Sequence, residues 1–179
     1  FSAAGYPLTS AEAVAGMEAE QCRRVDLVFT RTQGLLEDKG RHNPRTYLLP
    51  GGVDTERFDP SAPRQVRSDM TGVPRPRIGF VGTIDDRVDV GLLVRCARAL
   101  PEAQIVLVGP VRRHRLDARP LGRLTNVHLL PPCAHEEVPA IIAAMDICLI
   151  PYRINAYTRE PGTANRQSYN ALEKPVVAT

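Results

Sequence analysis

Nothing in the 179 residues runs apolar for the length of a membrane-crossing helix, and Phe1 opens no charged-then-apolar leader pattern. The expected localisation is cytoplasmic, with peripheral membrane contact left open. No two of the cysteines, Cys22, Cys96, Cys133 and Cys148, stand at Cys-x-x-Cys spacing, which removes zinc ribbons and dithiol redox motifs. They read as buried free thiols in a reducing compartment. Lysine is almost missing: only Lys39 and Lys174 stand among 23 basic residues, and the formal net charge is +3. That mild charge gives no reason to expect a nucleic-acid partner, and arginine favours forked contacts to phosphate or carboxylate. No Gly-x-Gly-x-x-Gly opens a helix after any strand, which argues against an NAD-dependent oxidoreductase. No metal-ligand set, internal repeat or low-complexity tract is visible, and no cofactor is expected.

What the chain does have is a repeated alternation of short apolar runs and amphipathic segments. Hydrophobic residues make up 43% of it, enough for a buried core. Ile78-Gly79-Phe80-Val81-Gly82-Thr83 and Ile105-Val106-Leu107-Val108-Gly109-Pro110 each end in glycine and flank one helical segment, a βαβ unit. In a parallel sheet the strands' carboxyl ends share one edge, and ligands bind in the crevice outside it. The expected ligand is therefore a nucleotide or another phosphorylated molecule.

Along the chain, Thr9 and Glu12 suggest a capping box for a first helix running toward Val25. Strands are expected at 26–30 and 46–49, with a short helix at 34–39 between them. The stretch from Asp59 to Arg77 is rich in Pro, Arg, Ser and Asp and reads as a boundary. Beyond it, strands are expected at 78–83, 104–109, 127–130, 146–150 and 175–178, and helices at 89–100, 135–144 and 164–172. Asp89 caps the first of these helices, whose apolar stripe is Val90, Leu93, Val94 and Ala97. The pattern predicts an α/β fold with a Rossmann-like doubly wound parallel sheet. Because the chain begins with Phe and stops at a strand, it is expected to be a fragment.

Several phrases stand in order along the chain: Gly52-Val53-Asp54-Thr55-Glu56-Arg57-Phe58-Asp59-Pro60, Val81-Gly82-Thr83-Ile84-Asp85, Val108-Gly109-Pro110 and Asn126-Val127-His128-Leu129-Leu130. Glu137-Val138-Pro139, Asp146 to Tyr152 and Lys174-Pro175-Val176-Val177-Ala178-Thr179 complete the series. In this order they resemble the group 1 (family 4-like) glycosyltransferases, whose GT-B fold pairs two Rossmann-like domains. The resemblance implies residues 1–59 as the tail of an N-terminal, acceptor-side domain, 60–76 as the interdomain linker and 77–179 as an incomplete donor-binding domain. It further implies transfer of a sugar from a UDP- or GDP-sugar to a glycan, lipid-linked or small-molecule acceptor, with retention and without a bound metal. Two domains orient the substrates in that fold, so the fragment alone is expected to be inactive.

The site expected on this basis has Arg87 and Glu160 as catalytic residues. Donor-binding residues are Gly82, Thr83, Gly109, Pro110, Pro131, Arg153, Arg159 and Ser168. Charge developing on the leaving diphosphate would meet the backbone near Gly82 and Thr83, with Arg87 just beyond. Tyr157 and Thr158 join Arg153 and Arg159 in a long loop after a strand's carboxyl end. Each assignment has a structural alternative: glycines as turn residues, Arg87 in an ion pair within Asp85-Asp86-Arg87, and Arg112, Arg113 and Arg115 as a solvated surface. His128 and His135 read as structural.

The chain also departs from the family pattern. In many members a Glu, seven intervening residues and a second Glu bracket the donor; Glu160 stands at the first position, but Ser168 at the second. Glu173 replaces the Gly before Lys-Pro-Val-Val, Asn165 or Arg166 the upstream Lys, Gly51 an Asn, and Pro131 a Gly. These changes favour a competing expectation, a non-catalytic sugar-nucleotide or protein-binding module on the same fold.

Overall fold

The computed structural model describes residues 10–155 and 164–179. The chain divides into two compact units, one comprising Phe1–Gly52 with Ile154–Thr163, the other Val53–Arg153 with Ala164–Thr179. In the first, helix α1 (Ala11–Arg24) leads to strand β1 (Val28–Thr30), helix α2 (Gln33–Gly40) and strand β2 (Thr46–Leu48), and the two strands pair in parallel. The N-cap of α1 is Ser10, whose hydroxyl accepts from the Ala13 N–H at 3.1 Å. This shifts the expected cap one residue from Thr9, since the hydroxyl must lie three positions before the amide it binds. At the other end of α1, the buried Asn43 amide donates to the carbonyls of Cys22 at 2.8 Å and Val25 at 2.9 Å, groups the helix itself leaves unpaired.

The second unit begins with a short helix α3 (Ser68–Thr71) and continues through β3 (Arg77–Val81), α4 (Val90–Ala99), β4 (Gln104–Val108) and β5 (Val127–Leu130). It closes with α5 (Val138–Ala143), β6 (Ile147–Ile150), α6 (Ala164–Ala171) and β7 (Val176–Ala178). The strands form one parallel sheet in the order β5-β4-β3-β6-β7. The chain thus steps outward from β3 to β5 and then returns to the far side of β3, the arrangement of a doubly wound Rossmann-like sheet. All five strands run the same way, so Gly82, Gly109, Pro131 and Arg153, which follow four of them, share one edge.

Both faces of the sheet are covered, which explains the near-continuous apolar strands. Along β4, Ile105 and Leu107 pack with Phe80 and the Val90, Leu93 and Ala97 stripe of α4. Val106 and Val108 point the other way, into a cluster with Ile141, Ile142, Met145, Tyr169 and Leu172. Met70 and Val73 belong to that second cluster, so the stretch read from composition as boundary and linker contributes buried side chains to the second unit, and Phe58, expected in the tail of the N-terminal domain, joins them. The many prolines and arginines of that stretch conceal two apolar anchors.

Helix ends are closed by specific side chains here too. Asn126 donates to the carbonyls of Ala97, Leu100 and Ala103 at 2.9 to 3.2 Å, finishing α4 much as Asn43 finishes α1. Past α6, the Lys174 N–H donates to the Tyr169 carbonyl at 3.0 Å and the Glu173 N–H to the Asn170 carbonyl at 2.9 Å. This is a Schellman termination, and it places Glu173 at φ 54°, the left-handed conformation that glycine adopts without a Cβ penalty. The four cysteines are free. Cys22 and Cys148 are buried, Cys96 and Cys133 half-buried, and burial pushes the Cys148 thiol up to about 12, which leaves it unreactive.

Candidate functional site

The order of strands places a topological switch between β3 and β6, because the crossovers leave β3 in opposite directions on its two sides. In sheets of this kind the crevice lies at the carboxyl ends of the two strands flanking that switch. The β3 side is built from Gly82 to Arg87 and the β6 side from Pro151 to Arg153.

Gly82 and Gly109 lie against each other. Their φ angles are +156° and +144°, and a Cβ on Gly109 would stand 2.1 Å from the Gly82 carbonyl oxygen. The Gly82 N–H donates to the Val108 carbonyl at 2.9 Å and the Gly109 N–H to that of Leu130 at 3.3 Å. Glycine is therefore required at 109 by backbone packing, whatever ligand approaches, whereas at 82 a Cβ would meet the Phe80 ring at 2.9 Å. Beyond Gly82 the pairing with the β4 side persists: the Ile84 N–H donates to the Pro110 carbonyl at 3.0 Å.

Arg87 is held by its own loop. Its Nε donates to both carboxylate oxygens of Asp85, at 2.9 and 3.1 Å, and its Nη2 to Oδ2 at 2.8 Å. The guanidinium also lies 5.6 Å from the centre of the Tyr152 ring, which meets Phe80 edge-on at 5.9 Å between centroids. Burial by itself would raise the Asp85 pKa, but the hydrogen bonds and charge of Arg87 outweigh it and hold the carboxyl below its ordinary range. The local ion pair is thus real. Two backbone bonds tie the loops together: the Arg153 N–H donates to the Arg87 carbonyl at 2.7 Å and the Asp89 N–H to the Pro151 carbonyl at 2.8 Å.

Two other expected positions, Pro131 and Ser168, have hydrogen-bond partners within the protein. The Pro131 carbonyl accepts from Arg67 at 3.2 Å, an arginine that also grips Asp69. Ser168 is not at the start of α6 but one turn inside it, with its hydroxyl donating to the Ala164 carbonyl at 3.1 Å. A serine within a helix bonds back to the preceding turn in this way. Glu160, Arg159, Tyr157 and Thr158 lie outside the described residues. Of the basic run, Arg115 pairs with Asp86 at 2.9 Å, and residues Arg113 to Arg119 surround a surface concavity. His128 pairs with Gln104 inside the sheet at 2.8 Å, and burial lowers its pKa. Among the described residues, no group of three or more His, Cys, Asp or Glu is arranged to hold a metal ion.

Two residues that the sequence reading did not single out as site residues meet the end of β3. The Tyr169 hydroxyl accepts from the Val81 N–H at 3.1 Å, and the Asn165 amide donates to the Val81 carbonyl at 2.9 Å. Their spacing of four on a polar helix is the signal that was available.

No protein-family model matches the chain. It is 27% identical over 136 residues to TuaH of Bacillus subtilis, a protein assigned to teichuronic acid biosynthesis as a glycosyltransferase; the match covers 75% of this chain and 34% of that protein. It is 28% identical over 185 residues to a D-inositol 3-phosphate glycosyltransferase of Salinispora arenicola, covering 89% of this chain and 40% of the relative. Among solved structures, Anabaena HepE in complex with UDP and glucose superposes with a TM-score of 0.75 at 19% identity, over 97% of this chain and 50% of HepE. The fold is the α/β, Rossmann-like architecture of GT-B glycosyltransferases. The chain spans between about a third and a half of the length of these relatives.

Proposed function

We propose that the second unit is the nucleotide-sugar binding part of a group 1 (family 4-like) glycosyltransferase that transfers a sugar from a UDP- or GDP-sugar with retention and without a bound metal. The observation that carries this reading is the switch-point crevice between β3 and β6. Gly82 and Ile84 both direct their N–H groups toward β4. The intervening Thr83 amide is therefore turned to the other side, where it is a backbone donor suited to a diphosphate oxygen. Arg87 and Arg153 follow the two flanking strands and supply positive charge, with Gly109 and Pro110 completing the wall. Arg159 and Glu160 belong to the same proposal from their place in the family pattern, Glu160 with Arg87 as the catalytic pair. The first unit is the tail of the acceptor-side domain, and the acceptor is a glycan, a lipid-linked sugar or a small molecule. Orientation of donor and acceptor by two domains supplies on the order of 7 to 11 kcal/mol of such a barrier, so these 179 residues alone do not turn over. The protein works in the cytoplasm.

The test is calorimetric titration of the full-length protein with UDP and GDP. A dissociation constant between about 1 µM and 1 mM for one of them supports the reading, and absence of binding at that upper limit removes it. The Ser168 hydroxyl turned onto its own helix and the Arg87 guanidinium locked on Asp85 favour a second reading, a non-catalytic sugar-nucleotide binding module. Release of nucleoside diphosphate from a bound donor separates the two.

A further inference from the structure

Along β3, the N–H and C=O groups of alternate residues face β6. At Arg77 both are taken by Asp146, whose carboxylate accepts the Arg77 N–H at 2.7 Å and whose N–H donates to the Arg77 carbonyl at 2.9 Å. Pairing of Ile78 with Ile147 and Gly79 with Cys148 follows. There the ladder on this side stops, although β3 continues to Val81 and remains paired with β4 over its whole length.

The next groups facing β6 are those of Val81, and both are met by side chains of α6. Tyr169, only 1% exposed, accepts from the N–H, and Asn165 donates to the carbonyl. Burial pushes the Tyr169 phenol's pKa up, so the hydroxyl stays protonated. The Asn165 Nδ2 lies 3.4 Å from where a Cβ would stand on Gly82, so the amide reaches the backbone across a position that has no side chain.

We propose that Asn165 and Tyr169 are positioning residues: a strut standing in for the missing rung of β6, which holds the end of β3, and with it Gly82 and the Thr83 amide, where a nucleoside diphosphate meets them. The strut itself is read from the geometry; its ligand rests on the function proposed above. A strand end left without its partner would otherwise expose two buried polar groups and drift, and backbone donors act on a developing charge only when fixed beforehand.

Two measurements on the full-length protein decide it: native-state hydrogen exchange of the Val81 amide, and titration with UDP and GDP. In Tyr169→Phe and Asn165→Ala the β4 amides should remain protected. The Val81 amide should exchange about tenfold faster in Tyr169→Phe, and nucleotide affinity should fall about tenfold in both variants. The double variant should bind no more weakly than the worse single one, since the pair acts as a unit. Unchanged Val81 exchange in Tyr169→Phe overturns the strut. Wild-type binding with affinity kept within twofold in both variants overturns its role at the site. A wild-type protein that binds neither nucleotide overturns the transferase reading and the ligand assigned to the strut, while exchange still decides the strut itself. If Tyr169→Phe fails to fold, the half-buried Asn165→Ala carries the test, with Gly82 and Thr83 exchange in place of Val81.

Discussion

Against β4, strand β3 keeps its partner from Arg77 to Val81, and the pairing runs on through Gly82 and Ile84. Against β6 the ladder holds only at Ile78 and Gly79, and side chains of α6 take over at Val81. One flank is closed by backbone packed so tightly that only glycine fits, the other by two side-chain hydrogen bonds at Val81 and two backbone bonds between the loops beyond it. The two sides of a single strand are thus held by different means, one by continuous backbone pairing and the other by side chains of a helix.

The largest effect should come from disturbing the closed flank. Gly109→Ala forces a Cβ toward the Gly82 carbonyl at a φ that a side chain rarely adopts. Chemical denaturation should show a loss of about 3 kcal/mol or more. A loss under about 1 kcal/mol would mean that this flank yields as readily as the other.

The open flank should respond more mildly. Asp85→Asn keeps the side-chain shape but removes the charge facing Arg87 and should cost about 1 to 2 kcal/mol near neutral pH. The pH dependence follows from the lowered folded pKa. The unfolded carboxyl titrates near 3.8, so the pair's contribution is full above that value and fades as pH falls through the lower folded one. Acid titration of stability should therefore show the gap between wild type and variant closing below pH 3.8. A gap independent of pH would assign the stabilisation to something other than this charge.

The smallest effect is a gain. Glu173→Gly relieves the left-handed residue that ends α6, the helix carrying the strut, and should raise stability by about 0.5 to 1 kcal/mol in thermal or denaturant unfolding. A destabilised variant would show that the Glu173 side chain contributes more than its backbone strain costs.

Much of the sheet was legible in sequence, because strands buried on both faces are near-continuous apolar runs and glycines mark where two of them end. Their boundaries shifted by a residue or two, since β3 ends at Val81, before the glycine. The lateral order was not legible from periodicity, which says nothing of neighbours. Met70 and Val73 are hidden by the prolines and arginines around them. At the site, the Asp85–Arg87 pair is legible two residues apart in sequence, as the alternative to a phosphate contact. The strut was missed because Asn165 and Val81 are far apart in sequence and meet only when α6 crosses the end of β3. Glu173 stands where the family pattern has glycine, but its left-handed backbone follows only from the termination of α6.

The chain contains no tryptophan, so its intrinsic ultraviolet emission belongs to tyrosine alone. Tyr152 sits beneath the Arg87 guanidinium and edge-on to Phe80, and Tyr169 is buried with its hydroxyl on the Val81 amide. Both rings stand at the open flank of β3, while Tyr47, half-exposed beside Phe29, belongs to the other unit. The molecule thus carries its own optical reporter: a change that draws Arg87 away or shifts Val81 alters the surroundings of Tyr152 and Tyr169.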